Sequence, residues 1–214
     1  MYCGGVFGGS VTGPRPGPVG PGLSNFPECN PDGKYSQEVE NELNFIVQNF
    51  AAAASVTVAV DQDFHTNISV AVVLGWAGHE SGWGVTGDGV SQGNNNYYSQ
   101  TAPGSNWIGQ APCPSNANTG YVCFSDYQSS AESAFFSPIN ALTYQSAAGS
   151  VSGPSAAFII ADQLANGGSL TSAFTIIGTK WAPGQNYGGP IVNTINGAAA
   201  HIDCLEKYGY LTSF

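Results

Sequence analysis

Glu80 is the residue of this chain best placed to do acid chemistry. It stands in Gly78-His79-Glu80-Ser81-Gly82-Trp83-Gly84, directly after the apolar run Ile68 to Ala77. That run predicts a buried helix, so the carboxylate falls where a helix ends and a glycine-rich loop begins. Burial disfavours the charged form of a carboxylate and raises its pKa, and the negative end of a helix dipole pushes the same way. A Glu kept protonated near neutral pH is suited to protonating a glycosidic oxygen. Taken alone, Glu80 fits a helix end that merely meets solvent equally well.

Other chemistries fit the same stretch less well. His79-Glu80 begins like the zinc-protease motif H-E-x-x-H, but Trp83 stands where the second His is needed. Ser81 comes one place too late for a G-x-S-x-G nucleophile. A Cys–His peptidase pairing Cys123 or Cys29 with His79 or His201 stays open, because such partners are distant in sequence. His65 and His201 otherwise read as surface or packing residues. The five cysteines (Cys3, Cys29, Cys113, Cys123, Cys204) contain no C-x-x-C pair, so no metal site is expected. Cys113 and Cys123 bracket a polar loop and are the best disulfide candidates, which fits an oxidising compartment.

The elements that position Glu80 follow from periodicity and turn residues. Residues 1–34, with Gly13-Pro14-Arg15-Pro16-Gly17-Pro18, predict a Gly/Pro-rich linker or irregular arm. Residues 35–214 form the expected domain. Ser36 is the expected N-cap of a first helix whose Val39, Leu43, Ile46, Val47 and Phe50 share a face. Ser55 to Val60 is β-branched and predicts a loop or short extended piece. Thr66 or Asn67 then caps the central helix to His79, whose apolar residues surround it and so predict burial on most sides. Residues 81–125, rich in Gly, Asn, Ser, Tyr and Trp, predict a loop-and-hairpin lobe. Helices are expected at about Ser130–Ser146, Ser155–Asn166, Leu170–Thr179 and Pro190–Lys207.

Composition excludes several partners. Fourteen Asp plus Glu against four Lys plus Arg give a net charge of −10 over 214 residues. Nucleic acid is not an expected partner, because phosphate binding needs clustered basic groups. Nor is a membrane, since no run of roughly 18 apolar residues is present. Only 8% of residues are charged, so a bound polysaccharide must be held by hydrogen bonds and aromatic faces. The N-terminus lacks the pattern of a secretory signal, which points to part of a larger polypeptide or to delivery by another route.

Glu80-Ser81-Gly82-Trp83-Gly84 at a helix end resembles the catalytic signature of the bacterial glucosaminidase family, lysozyme-fold peptidoglycan hydrolases. Three further stretches fall in that family's order. Asn95-Asn96-Tyr97-Tyr98-Ser99 is similar to its Asn-led segment. Tyr121 to Ser133 is similar to its F-x-x-Y-x-S-x-x-E-S segment. Trp181-Ala182-Pro183-Gly184-Gln185-Asn186-Tyr187 is similar to its turn before the last helix. The match spans roughly residues 68–196.

The resemblance implies a mostly helical α+β fold: a lysozyme-like helical body with a small loop/β-hairpin lobe and a cleft between them. It implies Glu80 as general acid and Tyr187 with its hydroxyl near the reacting sugar. Asn96, Tyr97, Tyr98, Trp107, Tyr121 and Trp181 would bind substrate, with flat rings meeting sugar C–H faces. The implied substrate is the glycan strand of peptidoglycan, cut at a β-1,4 bond outside the cell or in the periplasm, with no cofactor. One departure stands out: residues 90–125 contain no Asp or Glu. Asp88 and Asp126 flank that gap, Asp126 being the stronger candidate for a second acid. A mechanism assisted by the substrate's own 2-acetamido group remains the alternative, as does a catalytically weak glycan-binding module.

Overall fold

The computed structural model describes residues 25–29, 36–91, 93–101 and 107–211, apart from the side chains of Asp88 and Ser91. Most of the expected arm (1–24 and 30–34), the domain start at Tyr35 and Cys3 lie outside these residues. Seven α-helices follow in chain order: α1 Gln37–Phe64, α2 Val70–Ser81, α3 Asp88–Ser91, α4 Tyr127–Phe136, α5 Ala156–Ala165, α6 Leu170–Trp181 and α7 Gly188–Lys207. One antiparallel hairpin, β1 Thr143–Ser146 and β2 Gly149–Ser152, lies between α4 and α5 with Tyr144 opposite Val151. The fold is α+β and mostly helical, as expected.

Helix α2 is the centre of the body. Residues 71–78 are all buried, and it packs against α1 and α7. Trp76, fully buried, meets the rings of Tyr98 at 5.2 Å, Phe135 and Phe174 at 5.3 Å and Trp181 at 4.9 Å. A helix apolar all round must be enclosed in this way. Its N-cap is Ser69, not Thr66 or Asn67.

Helix α1 starts at Ser36, whose hydroxyl accepts from the Val39 amide at 3.2 Å. It then runs unbroken through the stretch expected to be a loop or extended piece. Val56 and Val60 are fully buried on it, so packing overrides their β-branched preference. At 28 residues α1 has the length and hydropathy to cross a membrane. Here it is a core helix against α2, α4, α5 and α7.

Two other expectations are corrected. The helix predicted over 130–146 ends at Phe136, because Pro138 lacks an amide donor and drives Ser137 into extended backbone (φ −69°, ψ 145°). The β-hairpin therefore forms at 143–152, not in the 81–125 lobe. There Tyr144 donates to Asp162 Oδ2 at 2.6 Å and ties the hairpin to α5.

The lobe after α2 is held by asparagine side chains. Asn94 Nδ2 donates to the Asn118 and Tyr121 carbonyls, Asn95 Nδ2 to those of Phe124 and Ser125, and Asn96 Nδ2 to those of Gln100 and Val122. A Thr101–Tyr121 bridge and the Cys113–Cys123 disulfide (Cα–Cα 5.2 Å) complete it. A second disulfide, Cys29–Cys204, was not anticipated. It fixes a 3-10 turn at Pro27–Cys29 to α7, and Phe26 beside it is buried against Tyr210. The packed body therefore takes in part of the stretch expected to be an arm.

Candidate active site

Glu80 sits one residue before the end of α2. Gly82 closes the helix in the left-handed conformation (φ 53°), a backbone state that glycine adopts without steric cost. The chain then turns sharply around Ser81. Its carbonyl accepts from the amides of Val85, Thr86 and Gly87, and its hydroxyl accepts from the Gly84 amide at 2.9 Å. This explains the Glu-Ser-Gly-Trp-Gly string locally: it holds the carboxylate still at a helix end.

Three residues close on Glu80, one from its own helix and two from segments distant in sequence. Tyr187, the N-cap of α7, donates its hydroxyl proton to Glu80 Oε1. The Trp76 indole N–H donates to the Tyr187 oxygen at 2.8 Å. Ser99 donates to the Glu80 main-chain carbonyl at 3.2 Å. An indole N–H can only donate, so the chain runs one way, from Trp76 through Tyr187 to Glu80. Oε1 thus accepts from Tyr187, which leaves Oε2 as the oxygen to carry the proton in the neutral form of Glu80. Tyr187 is seated by Gly178 of α6, where a side chain would collide with the tyrosine ring.

Burial raises the pKa of Glu80 above its ordinary value, against the opposing hydrogen bonds from Tyr187, Ser99 and Trp76. The Tyr187 hydroxyl is pushed well above its ordinary value by burial, then by the Glu80 charge. Both groups are therefore biased toward their neutral, proton-bearing forms.

Replacing Tyr187 with Phe tests the arrangement. Its hydrogen bond favours ionised Glu80, so its loss is expected to move the alkaline limb of the activity profile to higher pH. Activity should fall roughly ten- to a hundredfold, since a displacement of about 1 Å can cost the latter. The Trp76 N–H left unpaired should cost roughly 1–3 kcal/mol, read from urea unfolding. A limb moving to lower pH would contradict this geometry.

The other sequence-predicted residues do not gather at one place. Trp107 and Trp181 line one cavity beside Ser99. Tyr121 lines a different one, beside the Cys113–Cys123 disulfide. Tyr97 is half-buried against Phe45 and Tyr127.

Tyr98 and Asn96 are 0% and 1% exposed, which corrects their assignment as substrate contacts. The Tyr98 hydroxyl donates to the Val73 carbonyl at 3.0 Å, and Asn96 Oδ1 accepts from the Gln100 amide at 2.9 Å. Both build the wall behind the site. Asn96→Ala should cost roughly 1–3 kcal/mol for each buried partner it orphans, lowering the thermal midpoint.

Asp126 is also corrected. It is the N-cap of α4, with its carboxylate accepting from the Ser129 amide at 2.8 Å and the Ser125 hydroxyl at 3.0 Å. Burial pushes its pKa up, but those hydrogen bonds outweigh it and hold the group below its ordinary value. That is a capping carboxylate, ionised and engaged. Asp88 begins α3. No second carboxylate joins the Glu80 network among the described residues.

Cys29 and Cys123 are both in disulfides, so neither supplies a peptidase thiol. Among the described residues no group of three His, Cys, Asp or Glu gathers to hold a metal.

No protein-family model and no curated protein matches the chain. Among solved structures there is a distant likeness to a chain of a type VI secretion system effector–immunity complex from Pseudomonas protegens. The TM-score is 0.48 and the identity 17%, over 77% of this chain and 95% of that one. A likeness at that level assigns neither family nor activity.

Proposed function

We propose that the protein cleaves a β-1,4 glycosidic bond in the N-acetylglucosamine/N-acetylmuramic acid backbone of peptidoglycan, with Glu80 as its acid. The observation that carries this reading is the directed chain Trp76–Tyr187–Glu80, which leaves Oε2 free to present a proton from a half-buried carboxyl whose pKa burial raises. The glucosaminidase resemblance supports it through short ordered motifs alone. The two disulfides fit an oxidising, extracellular or periplasmic setting.

The reaction needs only one protein carboxyl. Glu80 Oε2 gives its proton to the leaving oxygen as the C1–O bond breaks. The carbonyl oxygen of the substrate's own 2-acetamido group bonds to C1 in its place. Glu80, now a carboxylate, takes a proton from water as that water attacks C1 and releases the acetamido oxygen. The acid is thereby restored.

The same lone carboxyl favours a second reading. If the sugar's 6-hydroxyl attacks C1 instead of water, the product is a 1,6-anhydro sugar, as a lytic transglycosylase makes. Digestion of purified peptidoglycan followed by mass spectrometry decides between them. A reducing sugar end supports hydrolysis, with its identity naming the bond, and an end lighter by one water supports transglycosylation. Intact strands after prolonged digestion would leave only a glycan-binding module.

A further inference from the structure

A cavity of about 150 Å³ has Ser99, Gln100, Trp107, Lys180 and Trp181 among its walls. Ser99 links it directly to the Glu80 main chain, and the Trp181 ring lies 4.9 Å from that of Trp76. We propose that this cavity is a subsite for a carboxylate-bearing N-acyl sugar unit, with the Lys180 ammonium as counter-charge. The inference rests on the glycan-cleaving reading above and names the feature of the strand that the site selects.

Three observations carry it. The first is charge. The chain has four Lys plus Arg and a net charge of −10, so an anionic strand gains no general attraction. Lys180 and Lys207 are the described cations, and Lys207 lies over the Tyr208 ring at 5.2 Å. Lys180 forms no ion pair among the described residues and lines the cavity. Its place in the last turn of α6 suits the helix dipole, but that alone does not explain the second observation.

Gln100, which also lines the cavity, is 1% exposed, and its side-chain nitrogen has no hydrogen-bond partner. Its carbonyl oxygen accepts from the Ser130 hydroxyl at 3.4 Å, which leaves the amide end as an unused donor. Buried donors are rarely left so, and an acyl carbonyl or carboxylate bound at this wall would be the acceptor it lacks.

The third is the indole pair. Trp107 and Trp181 stand edge to face at 5.4 Å. Each spends its N–H internally, on the Thr101 carbonyl at 2.9 Å and the Tyr98 carbonyl at 3.0 Å. What they offer a ligand is ring surface, suited to sugar C–H faces. The cavity is too small for a disaccharide and fits the substituents of one ring.

The carboxylate has two sources in peptidoglycan: the lactyl ether of the muramoyl sugar, or the peptide attached to it. Binding to Glu80→Gln protein, with and without Lys180→Gln, separates them by tryptophan fluorescence. The probes are soluble strands with peptides intact, strands stripped by an amidase, and an uncharged N-acetylglucosamine hexamer. Lys180→Gln is expected to weaken strand binding about tenfold, as loss of one charge-assisted contact does, to leave the hexamer within about twofold, and to be rescued by Lys180→Arg. An effect on stripped strands assigns the lactyl carboxylate, and an effect on intact strands alone assigns the peptide's. No change on either strand, or an equal loss on the hexamer, overturns the subsite. Lys180-dependent binding by wild-type protein that turns nothing over sinks the hydrolase reading while the subsite stands. Glu80-dependent turnover indifferent to Lys180 does the reverse.

Discussion

Glu80→Gln is expected to slow cleavage of purified peptidoglycan by roughly 10² to 10⁴, the usual contribution of a positioned general acid. Strand binding should survive, because glutamine keeps the side-chain shape and its oxygen still accepts from Tyr187. The same substitution carries a stability signature that a merely structural residue would not produce. Burial holds the folded-state pKa of Glu80 above the ordinary value of 4.5. Once pH exceeds that value, the native state binds more protons than the unfolded chain, so stability falls as pH rises until the folded pKa is passed. Glutamine has no proton to lose and escapes this decline. In urea unfolding at a series of pH values, the advantage of Glu80→Gln should be absent below about pH 4.5, grow above it and then level off. A pH-independent difference, with activity retained, removes Glu80 from the role of acid.

The second large effect concerns the ends of the chain. Cys29 and Cys204 are separated by 175 residues, Cys113 and Cys123 by 10. In the chain-entropy account, a cross-link stabilises by limiting the unfolded state, more so for longer loops. Replacing Cys29 and Cys204 together with Ser should therefore cost about 5 kcal/mol, against about 3 for the short-loop pair. At this chain length each kcal/mol lowers the thermal midpoint by roughly 2–4 °C. Calorimetry of the two double variants should rank them in that order, and equal losses would rule out loop closure as the cause. The long cross-link also bears on the site. It anchors the far end of α7, the helix that carries Tyr187 at its start.

Local chemistry was legible in the sequence wherever a few adjacent residues decided the outcome. Ser36 read correctly as a cap, the apolar Ile68–Ala77 run as a buried helix, and Cys113–Cys123 as a bridge across a short loop. Sequence and structure part where packing overrules local preference or where a single residue decides. Val56 and Val60 favour extended backbone because they are β-branched, yet the core they fill keeps α1 helical. Pro138 alone marks the end of α4.

The expectations for Glu80, from its own string, and Tyr187, from a resemblance, name two side chains that the structure brings together. Asn96, Tyr98 and Asp126 look like ligand-binding residues by type, but only their three-dimensional partners show that they brace the walls. Trp76 was missed because it lies inside an apolar run. One signal was available: it is four residues before Glu80 on the same helix, hence on the same face, and a buried indole N–H needs an acceptor. Cys29–Cys204 had no local signal at all.

The hydrogen-bond chain begins in the hydrophobic core. Trp76 is at once the largest fully buried side chain of α2 and the donor to the Tyr187 oxygen. Repacking the core therefore also alters the hydrogen bonding of the Glu80 carboxyl. Phe or Leu at position 76 fills much of the space yet frees the tyrosine hydroxyl to turn around. Sequence drift that most interiors absorb silently would here reach the hydrogen bond on Glu80. The freedom to vary belongs to the exposed faces of α1 and α7, not to the interior behind Glu80.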